Sequence, residues 1–321
     1  MRKLIIDTDT GSDDAVAILM ALLSDDIEVL AMTTVSGNAP LELATANCLQ
    51  TMEITGNIVP VYAGADRPLI RERVHAQNVH GEDGMGDMDL IHPTSKAVEG
   101  VHAADAIIDI VEKNPNEVEI VAIGPVTNIA LAILKAPDTM KKVKAIWTMG
   151  TAGFGPGNTT SVAEFNVYAD AEAYRIMMNC GVPIYIGGFD ICIGAAAWTV
   201  KDMDELLSSG KPIAKFAVEC NEGLAQFNIR CKGRRFVDLP DAVTMARVLW
   251  DDVCDVVPCM GYVCINEPAT YGQVVLYDGS PLAGLNGFED KPFGFSEPNC
   301  YVMKNFNSKL YKERLAKLLT K

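Results

Sequence analysis

The chain opens MRKLIIDTDTGSDD, and this segment constrains its fold more than any other. Leu4, Ile5 and Ile6 form a continuous apolar run, as expected of a parallel strand covered on both faces. The run passes straight into Asp7, Asp9, Asp13 and Asp14. Gly11 permits a tight turn, and Ser12 can cap a helix that continues through the apolar residues Ala15 to Met20. The acids therefore stand at the carboxyl end of a strand and the amino end of a helix, where open α/β sheets bind ligands. Carboxylates crowded in one place repel one another unless a cation lies among them. Oxygen ligands suit a hard divalent ion such as Ca²⁺ or Mg²⁺. Asp7 and Asp9 share a face if the strand persists. Asp13 and Asp14 diverge by roughly 100° on a helix, so one can face a metal and the other a substrate.

Strand and helix patterns alternate beyond this opening. Strands are predicted at 28–35, 59–62, 118–123, 143–149 and 183–186, with helices at 41–54 and 103–113 and another running from Gly124-Pro125 to Leu134. Residues 64–100 are too long for an ordinary connection and read as a functional loop. After residue 198 the pattern is mainly helical, with helices at 211–230, 241–249 and 310–319 and short strands at 274–277 and 301–302. There is no internal repeat and no low-complexity linker. The expectation is a single α/β domain over residues 1–321, with a largely parallel central sheet and a helical C-terminal part.

Composition narrows the function. The net charge of −15 argues against nucleic acid or an anionic membrane as a partner and suits neutral or cationic small molecules. The nine cysteines are scattered without a CxxC pair, so zinc is not indicated and a reducing cytoplasm is expected. Arg2 and Lys3 precede only a short apolar run, so no signal peptide is expected, and no apolar stretch reaches the length of a membrane span.

Polar residues gather in the segments that follow the predicted strands. Asn38 ends SGN at 36–38, and His80 begins HGEDGMG at 80–86. Thr127 lies in GPVTNIA at 124–130. Met149 ends a strand, Asn158 follows it, and Glu164 and Asn166 lie in AEFNVYADAEA at 163–173. Read as an alternating stretch, that last segment points Glu164 and Asn166 to one face. Asp241 opens a late helix. Together with DTDTGSDDA at 7–15, these motifs resemble the nucleoside hydrolases over about residues 3–277.

The resemblance implies an open, Rossmann-like domain around a mixed sheet, Ca²⁺-dependent cleavage of the N-glycosidic bond of nucleosides, and a homodimer or homotetramer. It implies a calcium held by Asp9, Asp14, Asp241 and the carbonyl of Thr127, with Asp7 behind the ligands. Asp13, Asn38, Asn158, Glu164 and Asn166 would hold the ribose, with Met149 against the sugar. His80 is a further candidate substrate contact.

The chemistry suits these residue types. Breaking a ribosyl C–N bond builds oxocarbenium character, which nearby carboxylates stabilise. A metal-activated water needs a base, for which Asp9 is the candidate. No GxxxxGK[ST] phosphate cradle is present, which favours a free nucleoside over a nucleotide.

The chain departs from the family pattern in two places. One branch of the family has a histidine immediately before the late calcium aspartate, and another uses a tryptophan; here that position is Pro240. The proton donor for the leaving base cannot be carried over, and His80, Tyr62, Arg230, Lys232 and Arg235 are the available substitutes. Tyr271 stands where many relatives carry arginine, leaving base preference open. Two rival readings remain. DTDTG also fits the DxDx[TV] opening of haloacid-dehalogenase-type phosphatases, although the later motifs of that class are missing. A relative that binds nucleosides or ribose without turning them over is the other.

Overall fold

The computed structural model describes residues 1–280 and 297–321. Eleven strands occur among them. They are β1 (Arg2–Thr8), β2 (Ile27–Thr34), β3 (Val61–Ala63), β4 (Val118–Ala122), β5 (Ala145–Met149) and β6 (Ile184–Gly187), then β7 (Trp198–Thr199), β8 (Phe236–Val237), β9 (Asp255–Val263), β10 (Val274–Tyr277) and β11 (Cys300–Lys304). Nine of them form one sheet in the order β10-β9-β11-β6-β5-β4-β1-β2-β3. All neighbours from β11 to β3 run parallel, and β9 and β10 add antiparallel pairs at one edge. The result is the mixed, largely parallel α/β sheet expected from the sequence. β7 and β8 make a separate antiparallel pair.

Period-two alternation in β1 splits the core into two layers. Leu4 and Ile6 pack with the helices Ser12–Leu22 and Pro240–Leu249 on one face of the sheet. Ile5 packs on the other face with Ile120, Ile129 and Met177. The chain reverses direction across the sheet between β1 and β4. Here β1 pairs with β2 on one side and β4 on the other, opening a crevice beyond their carboxyl ends. Asp7 closes β1 in that crevice, and its carbonyl accepts from the Ile123 N–H just past β4.

Several local expectations change. The segment 211–230 is two helices, Pro212–Glu219 and Glu222–Lys232. Between them the buried Asn221 turns its amide back to donate to the Ala217 and Ser12 carbonyls, a side-chain bond that competes with helix continuation. Glu164 and Asn166 do not lie on an alternating strand. Glu164 instead caps the helix Phe165–Ala169, accepting from the Asn166 and Val167 N–H groups. Ser12 is the first residue of its helix rather than the cap; Gly11 holds the cap position, and its N–H donates to Asp14 Oδ2. The 64–100 segment contains one short helix, Gln77–His80, and is otherwise irregular. No helix among the described residues is long and apolar enough to cross a membrane.

Asp170 ties the loop to the sheet. Its carboxylate accepts from the Leu69 N–H at 2.9 Å, the Thr127 hydroxyl at 2.7 Å and the Ala173 N–H that opens the helix Ala171–Met178. Replacing it removes a helix cap and leaves buried donors unpaired. We expect Asp170→Ala to lower unfolding free energy by about 2 kcal/mol or more in urea titrations. An unchanged midpoint would mean that the loop is anchored elsewhere.

Candidate active site

The sharp turn after β1 buries five acids in a small volume. Asp7, Asp9 and Asp14 are fully buried, and Asp13 and Asp241 nearly so. One carboxylate oxygen from each of Asp13, Asp14 and Asp241 lies within 4.8 Å of the others. Asp241 reaches this group as the second residue of the helix Pro240–Leu249, which packs beside the helix carrying Asp13 and Asp14. Asp9 stands next to the trio, wedged between two glycines. A methyl group at Gly37 would lie 2.0 Å from Asp9 Oδ2, and one at Gly124 2.6 Å from Asp9 Oδ1. Only glycine leaves room for a carboxylate between the ends of β2 and β4.

The hydrogen bonds divide these acids by task. Asp7 Oδ1 accepts from Thr33 and Asn128, which commits it to the scaffold. Asp14 Oδ1 accepts from Thr8, and its Oδ2 from the Gly11 N–H and the Asn38 amide. Asp9 Oδ2 accepts from the Asn38 N–H at 2.6 Å. Asp7 Oδ2, Asp9 Oδ1 and Asp13 Oδ1 are buried with no hydrogen-bond partner among the described residues, although His80 Nδ1 lies 3.8 Å from Asp13 Oδ1. Burial raises every one of these carboxyls. Asp7 is pushed up to about 7 and Asp13 to about 6 by desolvation. Asp14 rises to about 6 by desolvation and then by Asp13, and Asp241 well above its usual range by desolvation and then by Asp13, Asp14 and Asp9. A cluster of unpartnered, mutually repelling oxygens fits a hard divalent cation.

A cavity of about 500 Å³ opens beside the acids. Asp13, Asn38, Met149, Glu164, Asn166 and Asp241 line it, together with His80 and the exposed Asn158 at its mouth. Asn166 donates from its amide to the Ile123 and Met149 carbonyls, fixing its side chain across the ends of β4 and β5. Burial lifts Glu164 to about 7 against the two N–H groups that it caps. His80 ends the helix Gln77–His80 and lines the cavity. It is buried, its Nδ1 lies 2.8 Å from the Ser12 hydroxyl, and burial lowers it to about 4, so it is neutral near pH 7.

Thr127 opens the helix Thr127–Lys135 and does not line this cavity; its hydroxyl is spent on Asp170. Tyr62, Arg230 and Arg235 do not line it either, whereas Lys232 does. Tyr271 donates to Glu172 beneath the Arg71 guanidinium, away from the cavity. The sequence reading missed the opposite wall, which is built from Leu224, Phe227, Asn228 and Cys231. Their i, i+3, i+4, i+7 spacing puts them on one helix face, a signal present in the sequence once the helix is known to restart after Asn221.

Comparison with known proteins identifies the family. The sequence model of the family described as inosine-uridine preferring nucleoside hydrolase matches residues 4–313, so the chain belongs to that family. The match runs past residue 277, taking in β11 and the first half of the last helix. An uncharacterized protein of Schizosaccharomyces pombe is 44% identical over 191 residues, 59% of this chain and 61% of that protein. The pyrimidine-specific ribonucleoside hydrolase RihB of Escherichia coli is 40% identical over 190 residues, 59% of this chain and 60% of that protein. The chain thus spans about 60% of the length of these curated relatives. Among solved structures, a plant nucleoside hydrolase, the PpNRh1 enzyme, superposes with a TM-score of 0.90 at 30% identity over 99% of both chains. A purine-preferring ribonucleoside hydrolase from Gardnerella vaginalis gives 0.86 at 25% identity, covering 99% of this chain and 98% of its own.

The raised carboxyls predict a pH signature for the metal-free protein. Asp7 and Glu164 at about 7, and Asp13 and Asp14 at about 6, sit above their unfolded values. The folded state therefore holds more protons than the unfolded chain from about pH 4 to pH 7, and its stability falls as pH rises through that window. His80, the one buried base lining the cavity, has the opposite slope below about pH 6.5 and offsets only part of it. We expect chelated protein to melt lower at about pH 7.5 than at about pH 5.5, and a hard divalent cation to restore the loss mainly at the higher pH. A chelated protein that melts higher at the upper pH would contradict this electrostatic account.

Proposed function

We propose that the protein hydrolyses the N-glycosidic bond of ribonucleosides, giving ribose and a free base, with a bound Ca²⁺. The observation that carries this reading is the meeting of a buried acidic cluster, of which Asp13 and Asp241 line the cavity while Asp9 and Asp14 do not, with a ring of polar side chains suited to a sugar. Asp9, Asp14 and Asp241 would hold the cation, with the Thr127 carbonyl completing the set on family resemblance. A divalent ion bound there supplies a Lewis acid that makes a water easier to deprotonate.

The side chains then divide the work. Asp9 Oδ1, buried and unpartnered, takes the proton of the attacking water. Asp13, Asn38, Asn158, Glu164 and Asn166 bind and orient the ribose hydroxyls, and the Met149 thioether packs against the ring. A carboxylate at Asp13 also stabilises positive charge as the C–N bond lengthens. The crowded acids exclude a nucleotide's phosphate by like-charge repulsion.

The phosphatase alternative is disfavoured by Asp7. Its Oδ1 accepts from both Thr33 and Asn128, which holds the carboxylate in the scaffold at the end of β1 and makes it a poor nucleophile. A nucleoside-binding protein without turnover is separated from a hydrolase by one assay.

Ribose release should be measured over a panel of purine and pyrimidine nucleosides, with and without chelator. We expect release that chelation abolishes and Ca²⁺ restores. Asp9→Ala should cut kcat by roughly 10²- to 10⁴-fold, the usual cost of losing a general base. Asn166→Ala should raise KM as well as lower kcat, because it positions the sugar. Wild-type turnover in Asp9→Ala would remove Asp9 from the mechanism, and nucleoside binding without ribose release would favour the non-catalytic reading.

A further inference from the structure

The cavity has a second polar feature, remote in chemistry from the acids that face the sugar. Asp238 follows β8, lines the cavity and is 6% exposed. Its Oδ2 lies 3.5 Å from Lys232 Nζ. Its Oδ1 is buried without a hydrogen-bond partner among the described residues. A buried carboxylate oxygen without a partner is costly unless a donor reaches it, and a ligand in the cavity that Asp238 lines can bring one.

The surroundings say what kind of ligand. Asp238 and Lys232 share the cavity with Leu224 and Phe227 on one wall and Phe165 and Phe189 among its other apolar residues, a lining suited to a flat heteroaromatic ring. Asn228, the other polar residue of that helix face, is already committed: its amide donates to the Phe236 carbonyl at 3.0 Å. That bond also fixes β8 against the helix Glu222–Lys232 and so sets the position of Asp238. Lys232 is held in turn, its ammonium lying 4.9 Å over the Phe236 ring.

We propose that Asp238, restrained by Lys232, is a specificity-determining contact for the nucleobase, its bare Oδ1 accepting a hydrogen bond from a base N–H. This inference rests on the nucleoside reading above. A lone carboxylate would oppose the negative charge that builds on a departing base. The neighbouring Lys232 cancels that charge, leaving an acceptor with no net field against departure. Bases that present a ring N–H, such as uracil and hypoxanthine, satisfy it; the same bases methylated on that nitrogen do not. An unfilled acceptor discriminates strongly between two such ligands, because the penalty is a buried group left unpaired.

The test compares uridine with 3-methyluridine and inosine with 1-methylinosine, using 4-nitrophenyl riboside as a substrate that has no N–H to offer. Wild-type protein should prefer each unmethylated nucleoside that it hydrolyses by roughly ten- to a hundredfold in kcat/KM, the worth of a hydrogen bond to a charged group. Asp238→Ala should erase that preference while keeping 4-nitrophenyl riboside within about threefold of wild type, since that substrate makes no such bond. Asp238→Asn keeps an acceptor oxygen and should retain part of the preference. Equal losses on nucleosides and 4-nitrophenyl riboside would overturn the assignment, as would a wild type that hydrolyses nucleosides and ignores the methyl group. A wild type that releases ribose from no nucleoside would overturn the proposed function itself, and this inference with it.

Discussion

Everything in this molecule's crevice depends on the burial of like charges at the end of one strand. Two like charges roughly 4 Å apart repel by about 4 kcal/mol at an effective dielectric constant of about 20. Asp9, Asp13, Asp14 and Asp241 meet under such conditions, and desolvation adds to the cost. The scaffold offsets part of it by aiming donors at the cluster: Thr8, the Gly11 N–H, and both the backbone and side-chain N–H of Asn38. The remainder is left for a bound cation or ligand to offset. A site of this kind is unfavourable for folding and favourable for binding, and the wide apolar sheet behind it supplies the stability to hold it.

The fold follows from the same constraint. An apolar strand that ends in acids has to be central and doubly covered, and its end has to be open. Placing β1 between β2 and β4 achieves both, because the helices leave in opposite directions from that point. Gly37 and Gly124, at the ends of the two neighbouring strands, then become steric necessities rather than loop residues.

Much of this was legible in the sequence, and the limits are instructive. The acidic turn, the alternating strands and helices and the polar residues after them identified the crevice, because each sits next to a strong local signal. Glu164 and Asn166 were placed in the site for a wrong local reason: they gather there through a capping interaction and not through strand alternation. His80 was a candidate substrate contact, but its burial was not legible because it depends on Ser12, far away in sequence. The break at Asn221 was hidden because it comes from a bond to the Ser12 carbonyl. With that break unseen, the helix face of Leu224, Phe227, Asn228 and Cys231 had no frame in which to appear. The acidic end of the cavity is written in contiguous motifs, whereas the wall of Leu224, Phe227, Asn228 and Cys231 is assembled by tertiary contact.

The central claim is that the acidic crevice is a cation site built for catalysis. The most direct measurement is a crystal structure grown with Ca²⁺, with anomalous scattering used to locate and identify the ion. The account predicts one ion per chain, coordinated by Asp9, Asp14 and Asp241 at 2.3–2.6 Å, the usual range for calcium–oxygen ligands. A crevice that stays free of metal at saturating Ca²⁺, with the acids paired by shared protons instead, would contradict it.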